Sequence, residues 1–110
     1  MATEGSDLRQ GSLDVLVLKA LSLEPMHGWG ISQRIQQLSN DVLRINQGSL
    51  YPALQRLERR GLVVASWEAS DNNRRARYYT LSAAGRRQFA AERAEWERYA
   101  RAVHQVLSAT

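Results

Sequence analysis

Fold class is set by residues 47–81, which read QGSLYPALQRLERRGLVVASWEASDNNRRARYYTL. The first part carries three leucines at i, i+4 and i+7: Leu50, Leu54 and Leu57. This spacing puts side chains on one face of an α-helix. Pro52 fits that helix only near its first turn, where the missing N–H has no partner to lose. We therefore expect a helix that begins within residues 47–49 and stops at Gly61, a residue type that commonly follows a helix.

Two strands follow this helix. Residues 62–68 and 77–81 are rich in valine, tryptophan, tyrosine and threonine, the residue types that favour strands. Residues 69–76 separate them and combine turn-forming serine, aspartate and asparagine with arginine. The pattern predicts a β-hairpin with a basic loop.

Two more helices precede the third one. Residues 12–23 place apolar side chains at helical spacing, with Ser12 as the expected N-cap and Pro25 just beyond the end. A turn is expected at residues 25–30, followed by a second helix that ends near residues 39–40. Its apolar stripe consists of Ile31, Ile35 and Leu38.

A long helix closes the chain, capped by Ser82 and reaching about Ser108. Apolar residues recur along it at coiled-coil spacing over about two and a half heptads. The residues assigned to a dimer interface on this seam are Phe89, Trp96, Tyr99, Val103, Val106 and Leu107. Three short helices and a hairpin cannot bury the whole seam, so a second copy of the chain is the simplest partner. The alternative is a helix that folds back on its own domain.

The order helix-helix-helix-strand-loop-strand-helix predicts a mainly α (α+β) fold, the winged helix-turn-helix with a two-stranded wing. In this design the third helix enters the major groove of DNA, and the hairpin loop, or wing, contacts the backbone or minor groove beside it. We expect a flexible N-terminal tail at residues 1–10, a DNA-binding domain at 11–81 and a C-terminal dimerisation helix at 82–110.

Length and composition exclude several classes of protein. The 110 residues suffice for one domain, and the absence of cysteine excludes disulfides, thiolate metal sites and cysteine nucleophiles. No apolar run approaches the ~20 residues of a membrane span and no secretory signal is visible, so we expect a cytoplasmic protein that does not bind a membrane. The two histidines are far apart and no hydrolase or phosphate-loop motif occurs. We therefore expect no metal, no cofactor and no enzymatic activity.

The charge of the chain favours a DNA partner. The net charge is +4 at pH 7, and 14 of the 15 basic residues are arginine, which suits bidentate contacts to phosphate and guanine. Genomic base composition would by itself also enrich arginine. Residues 70–77 hold three arginines in a stretch of turn-forming residues, and a short basic loop of this kind could reach a groove of DNA. Charged loops of this kind are also common where they contact only solvent.

Several short motifs lie between residues 27 and 85, within a family resemblance that extends from about residue 13 to residue 107. They are HGWGI at 27–31, GSLYPALQRLE at 48–58, GLV at 61–63, Trp67, NNRRARYY at 72–79 and LSAAG at 81–85. Together they resemble the PadR family of bacterial transcriptional regulators, and the GSLYPALQRLE string is the most specific part. Trp29, Gly30 and Ser82 depart from the residues that many relatives carry, which leaves the local contacts there open.

The resemblance implies a dimeric winged helix, usually a repressor, that binds a palindromic operator near its own or a neighbouring promoter. The length matches the short branch of the family, which ends in a single dimerisation helix. The double-stranded DNA operator and a second copy of the chain are therefore the expected partners.

The third helix supplies the candidate DNA-reading residues. With its leucines turned inward, Ser49, Pro52, Arg56 and Arg59 are expected to face outward with Gln55 beside them, and early positions meet base edges. The candidates are Gln47, Ser49, Tyr51, Pro52 and Arg56. Gln47 could hydrogen-bond adenine, Arg56 could bind guanine or phosphate, and the Tyr51 hydroxyl could reach a phosphate. The alternative for each is a solvated polar side chain.

The wing supplies a second group of candidates. Asn73, Arg74, Arg75 and Arg77 are expected to contact phosphates or the minor groove. Arg77 has an alternative role, in which it is held within the pair of strands.

Trp96 lies midway along the seam of the last helix. It either fills the dimer core or, as the resemblance to the short branch implies, stacks on a small planar apolar effector between paired final helices. Trp29 and Trp67 are interpreted as packing residues. A winged-helix protein-interaction module without its own operator is the alternative function, and the polar and basic third helix favours DNA over it.

Overall fold

The computed structural model describes residues 2–69, 72 and 74–110, with side chains from residue 12 onward. Within these residues the chain forms four helices and three strands. Their order is α1 (Ala2–Leu23), β1 (Met26–His27), α2 (Gly28–Leu38), α3 (Gln47–Arg59), β2 (Val63–Ala69), β3 (Arg75–Leu81) and α4 (Ala83–Ser108). This order confirms the winged helix-turn-helix with a long C-terminal helix.

Local sequence signals determine where the helices begin and end. The side chain of Asn46 accepts a hydrogen bond from the Ser49 N–H at 2.8 Å and so caps α3. Ser82 caps α4 in the same way, through the Gly85 N–H at 3.0 Å. After α3, Gly61 has φ +73°, a left-handed conformation that glycine adopts at no steric cost. The expected ends of α3 and the expected cap of α4 are therefore confirmed.

The sheet is antiparallel, with strand order β1-β3-β2. The hairpin of β2 and β3 was expected, but β1 was not, because residues 25–30 were interpreted as a turn only. Met26 pairs with Tyr79 and His27 with Tyr78, so this segment closes the free edge of β3. Two residues are too few to show the alternation by which a strand is recognised in a sequence.

The core lies between α1, α2, α3 and one face of the sheet. Its largest fully buried side chains are Val17, Leu18, Leu21, Ile31, Leu50, Leu54, Leu57 and Val63. The three leucines of α3 are thus buried as predicted. Leu38 is 59% exposed, against expectation, because it is the last residue of α2 and lies beyond the part of the helix that faces the core.

The bounds of α1 differ from those expected. The helix starts at Ala2, so Ser12 lies inside it and is not its N-cap. Residues 2–11 have no apolar period that would have predicted a helix, yet several of them have good helix propensity. The division into tail, DNA-binding domain and dimerisation helix stays a prediction.

The start of α4 packs tightly against the wing, and the rest of the helix extends away. A Cβ atom at Gly85 would overlap the carbonyl oxygen of Leu62, so only glycine allows this approach. The 26 residues of α4 span about 39 Å, and the molecule measures 57 × 29 × 25 Å. Among the described residues, no helix is both long and apolar enough to span a membrane.

Candidate nucleic-acid interface

The exposed side of α3 is centred on different residues from those expected. Ala53 is buried together with the three leucines, which moves the middle of the opposite, exposed side to Pro52, Gln55 and Arg59 at 100° per residue. Gln55 therefore lies at the centre of this side and not beside it. The leucine spacing alone did not predict this position, because the small Ala53 gave no signal of burial.

Arg56 lies at one side of α3 and is half-buried. Its Nη2 donates to Asp14 Oδ1 of α1 at 2.9 Å, with 29% of the arginine side chain and 14% of the aspartate side chain exposed. The guanidinium thus joins α3 to α1. The DNA contact of Arg56 stays a prediction. It would require the guanidinium either to bind DNA and Asp14 at the same time or to break its ion pair with Asp14.

Gln47 and Ser49 lie at the N-terminal end of α3. Gln47 Nε2 donates to Ser32 Oγ of α2 at 2.8 Å, which connects the first turn of α3 to α2. Ser49 is exposed. Both remain candidates for base contacts.

Tyr51 lies on the other side of α3, where its ring is in contact with Gly28 at the start of α2. It is 44% exposed, so its hydroxyl remains a candidate donor to a phosphate.

The two described strand arginines of the wing lie over one indole ring. The Cζ atoms of Arg75 and Arg77 lie 5.5 and 5.9 Å from the centroid of Trp67. Arg77 Nη2 also donates to Glu58 Oε2 of α3 at 2.8 Å. Arg77 thus contacts α3 as well as the adjacent strand, which agrees with the alternative of a structural role.

Arg74 precedes β3 and is exposed. Asn73, the fourth candidate of the wing, lies outside the described residues. Both stay predictions.

A groove of about 820 Å³ lies between α3 and the wing, and we call it the α3–wing groove. Its lining includes Tyr51, Gln55 and Glu58 from α3, and Trp67, Arg75 and Arg77 from the strands. His27 and Trp29 complete it at the start of α2. Candidate residues from the third helix and from the wing therefore line one continuous surface.

Tyr79 also lines this groove and is 4% exposed. Burial raises the pKa of its hydroxyl above the ordinary tyrosine value, while the nearby charge of Arg77 acts in the opposite direction. The hydroxyl therefore stays neutral at physiological pH.

The interpretation of Trp29 and Trp67 as packing residues was wrong. They are 60% and 55% exposed, and both line the α3–wing groove. Trp29 lies about 200° around α2 from Ile31, which could have indicated its exposure. For Trp67 the signal was misleading, because it alternates with the buried Val63 and half-buried Ala65 on one face of β2.

The apolar seam of α4 is exposed in the single chain. Trp96, Tyr99 and Val103 are 42%, 44% and 38% exposed, and Val106 and Leu107 are more exposed still. Phe89 differs, since it is partly buried and packs against the core of its own chain. The seam beyond residue 92 is thus the part that stays exposed in the single chain.

A second cleft, also of about 820 Å³, runs beside this seam, and we call it the α4 cleft. Trp96 and Tyr99, with ring centroids 5.8 Å apart, form one wall. The other walls include Leu13 and Leu16 of α1, Val42 and Leu43 before α3, and Ser49, Pro52 and Arg56 of α3. Trp96 therefore lines the same cleft as three of the candidate DNA-reading residues. Among the described residues, no group of histidine and acidic side chains could hold a metal ion.

Comparison with known proteins gives matches over most of the chain. The model of the transcriptional regulator PadR-like family matches residues 17–91. An uncharacterized protein X of Lysinibacillus sphaericus is 30% identical over 83% of this chain and 84% of its own length. The transcriptional regulator Rv3488 of Mycobacterium tuberculosis is 31% identical over 88% of this chain and 87% of its own length.

The fold recurs among solved structures. A transcriptional regulator from Clostridium thermocellum superimposes with a TM-score of 0.80, covering 90% of this chain and 96% of the other. The two sequences are 24% identical, so this match supports the fold and carries no finer statement.

Proposed function

We propose that this chain, which belongs to the transcriptional regulator PadR-like family, is a repressor that binds a palindromic operator as a homodimer. In this proposal each α3 enters a major groove and each wing contacts the DNA backbone or minor groove beside it. The observation that carries the proposal is the α3–wing groove, where candidate residues of both elements line one surface.

The chemistry of the exposed side of α3 and of the wing suits DNA. Gln55, Arg59 and Ser49 are exposed on α3 and offer hydrogen-bond donors to base edges or phosphates. Arg74 and Arg75 add positive charge on the wing side. We propose Gln47, Ser49, Tyr51, Pro52 and Arg56 as recognition-helix contacts, and Asn73, Arg74, Arg75 and Arg77 as wing contacts.

The exposed seam of α4 supports a homodimer. Five apolar side chains beyond residue 92 are 38–78% exposed on the single chain, and a second copy would cover them with the same seam. A two-fold dimer presents two α3 helices in opposite orientations, which requires an operator of matching symmetry. Half-sites one helical turn apart, roughly 34–36 Å, fit this geometry.

Repression follows from occupancy alone, since a protein bound across a promoter blocks polymerase without any further activity. A small planar apolar effector could relieve it by stacking on Trp96. The α4 cleft supports this part of the proposal, because Trp96 shares that cleft with Ser49, Pro52 and Arg56. A ligand there would shift the spacing of the two α3 helices and prevent their simultaneous docking. A ligand that binds beside Trp96 and leaves operator affinity unchanged would contradict this mechanism.

Selection of random DNA duplexes on the purified protein tests the function. We expect enrichment of an inverted repeat, which reports sequence preference and dimer symmetry together. Enrichment of a single, non-repeated site would contradict the homodimer, and no enrichment would contradict the operator.

Salt dependence tests the wing. Each phosphate contact contributes roughly −0.9 to the slope of log affinity against log salt concentration, so replacing Arg74 and Arg75 with alanine should flatten the slope by up to about 1.8. The matched control replaces Arg98 and Arg101 with alanine. This removes the same amount of charge from exposed positions of α4. Equal slopes for both double variants would refute wing contact.

The protein-interaction module remains the second candidate because Trp29 and Trp67 are exposed, and tryptophan is enriched at protein interfaces. The polar and basic side chains at the centre of the exposed side of α3 favour DNA. The duplex selection separates the two candidates, since an interaction module would enrich no sequence.

A further inference from the structure

The hairpin presents three cross-strand pairs on the face that is turned toward α3. Ala65 pairs with Tyr79, Trp67 with Arg77, and Ala69 with Arg75. Residues directly opposite in an antiparallel pair point to the same face, so Trp67 and both arginines share it. The buried Tyr79 and the Arg77–Glu58 ion pair show that this face is the one that meets α3.

The two arginines on this face have different surroundings. Arg77 lies against Trp67 and its charge is paired with Glu58 on α3. Arg75 lies 5.5 Å over Trp67, farther from the base of the hairpin, and no carboxylate among the described residues forms an ion pair with it. The positive charge of Arg75 is therefore the one that an incoming anion meets with less competition.

Contact with an indole leaves a guanidinium able to bind an anion. When a guanidinium stacks on an aromatic ring, its flat face lies against the ring and its N–H groups point outward in the plane, where phosphate oxygens can reach them. The same contact restricts the rotamers of a long side chain, which reduces the entropy lost when DNA binds.

The exposure of Trp67 fits this role. A tryptophan with 55% of its surface exposed contributes little to a core, and two guanidinium groups lie within 6 Å of its ring centroid. We propose that Trp67 is a positioning residue, which holds the Arg75 guanidinium ready for a DNA phosphate while Arg77 ties the wing to α3 through Glu58. This inference rests on the proposed DNA-binding function.

Substitution of Trp67 tests the role by fluorescence anisotropy with a labelled mixed-sequence DNA duplex. W67L keeps apolar bulk but removes the aromatic face, and W67F keeps an aromatic face. A cation–π contact at an exposed site contributes roughly 0.5–1 kcal/mol, so we expect W67L to bind about 2- to 5-fold more weakly. W67F should restore most of this loss. V64A is the matched control, because Val64 is 59% exposed on the opposite face of β2.

A double-mutant cycle identifies the partner of Trp67. If Trp67 acts through Arg75, W67L should have no further effect on affinity once R75A is present. R75A itself should flatten the salt slope by roughly 0.9, whereas R77A should weaken binding with a smaller change in slope. Additive effects of W67L and R75A would mean that Trp67 acts independently of Arg75, through Arg77 or by contacting DNA itself, and this would overturn the positioning role.

The outcomes separate this inference from the proposed function. Thermal unfolding of W67L should match that of the wild type, because the side chain is exposed; a large loss of stability would assign Trp67 to the fold instead. If the wild-type protein binds the mixed duplex but the selection enriches no sequence, only the proposal of a specific operator is refuted. Wild-type affinity in W67L, with a sequence enriched, would refute the positioning role alone.

Discussion

The beginning and the end of α4 belong to one continuous helix but lie in different surroundings. At the beginning, residues 83–92, Gly85 is buried against Leu62 and Phe89 packs against the core. At the end, every residue from 93 to 108 is exposed. Both parts have the same helical spacing of apolar residues in the sequence. The difference teaches that this spacing determines the secondary structure but does not determine which surface covers the apolar face.

The two ends should therefore respond to substitution in different assays. Changes at the beginning of α4 should alter the unfolding of each subunit. Changes on the seam at the end should alter association and leave the subunit fold intact. The comparison would be contradicted if a change at the beginning altered only association, or if a change on the seam altered the unfolding of the subunit.

The largest effect is expected for V103D, on the seam. Burial of one unpaired carboxylate costs about 3 kcal/mol or more, and a dimer buries two, so dimerisation should weaken roughly 10⁴-fold. Sedimentation equilibrium measures the dissociation constant. The control is R98A, on the opposite side of α4 from Trp96 and Val103, which should leave the dimer unchanged. A V103D protein that dimerises like the wild type would mean that the seam is not the interface.

Substitution G85A should destabilise the subunit by about 2 kcal/mol, since the added Cβ overlaps the Leu62 carbonyl oxygen and forces the backbone to shift. Urea unfolding measures the free energy. G30A is the matched control because its Cβ would meet neighbours only at ordinary contact distances of 3.5 Å and beyond. Equal stabilities of G85A and G30A would show that α4 does not depend on this contact.

The N-cap of α4 should have a smaller effect. Ser82 Oγ accepts from the Gly85 N–H at 3.0 Å and its hydroxyl donates to the Gly61 carbonyl oxygen at 2.6 Å. S82A removes both bonds and should lower the free energy of unfolding by about 1 kcal/mol. S82T retains the hydroxyl and should behave like the wild type. A loss in S82T equal to that in S82A would point to steric crowding in place of capping.

The smallest effect is expected for an ion pair at the exposed end. Arg93 Nε lies 3.3 Å from Glu97 Oε2, and both side chains are more than half exposed. R93A should change stability by only about 0.3–0.5 kcal/mol, and salt should reduce the difference further. Unfolding at two salt concentrations measures it. A loss above 1 kcal/mol would mean that Arg93 has another partner in the folded protein.

Local patterns in the sequence predicted what local physics controls. The leucine stripe located α3, Gly61 marked its end, and Ser82 marked the start of α4. Each of these signals involves residues within a few positions of one another.

Contacts between distant segments were missed for the same reason. The Arg56–Asp14 and Arg77–Glu58 pairs join residues 42 and 19 positions apart, and no spacing rule connects them. The short strand β1 exists only because the edge of β3 is available to pair with it. The candidate site was thus predicted as a set of residues, while its partners required the structure.

Hydrogen bonds join the two ends of the hairpin at the base of the wing. Ser82 bonds to the carbonyl oxygen of Gly61 through its hydroxyl and to that of Leu62 through its backbone N–H, at 2.6 and 3.1 Å. These bonds connect the residues before β2 with the residue after β3. The position of α3 relative to α4 therefore does not depend on which residues form the tip of the hairpin. Evolution can therefore lengthen, shorten or recompose that tip at little cost to folding, and a protein engineer could graft foreign loops there.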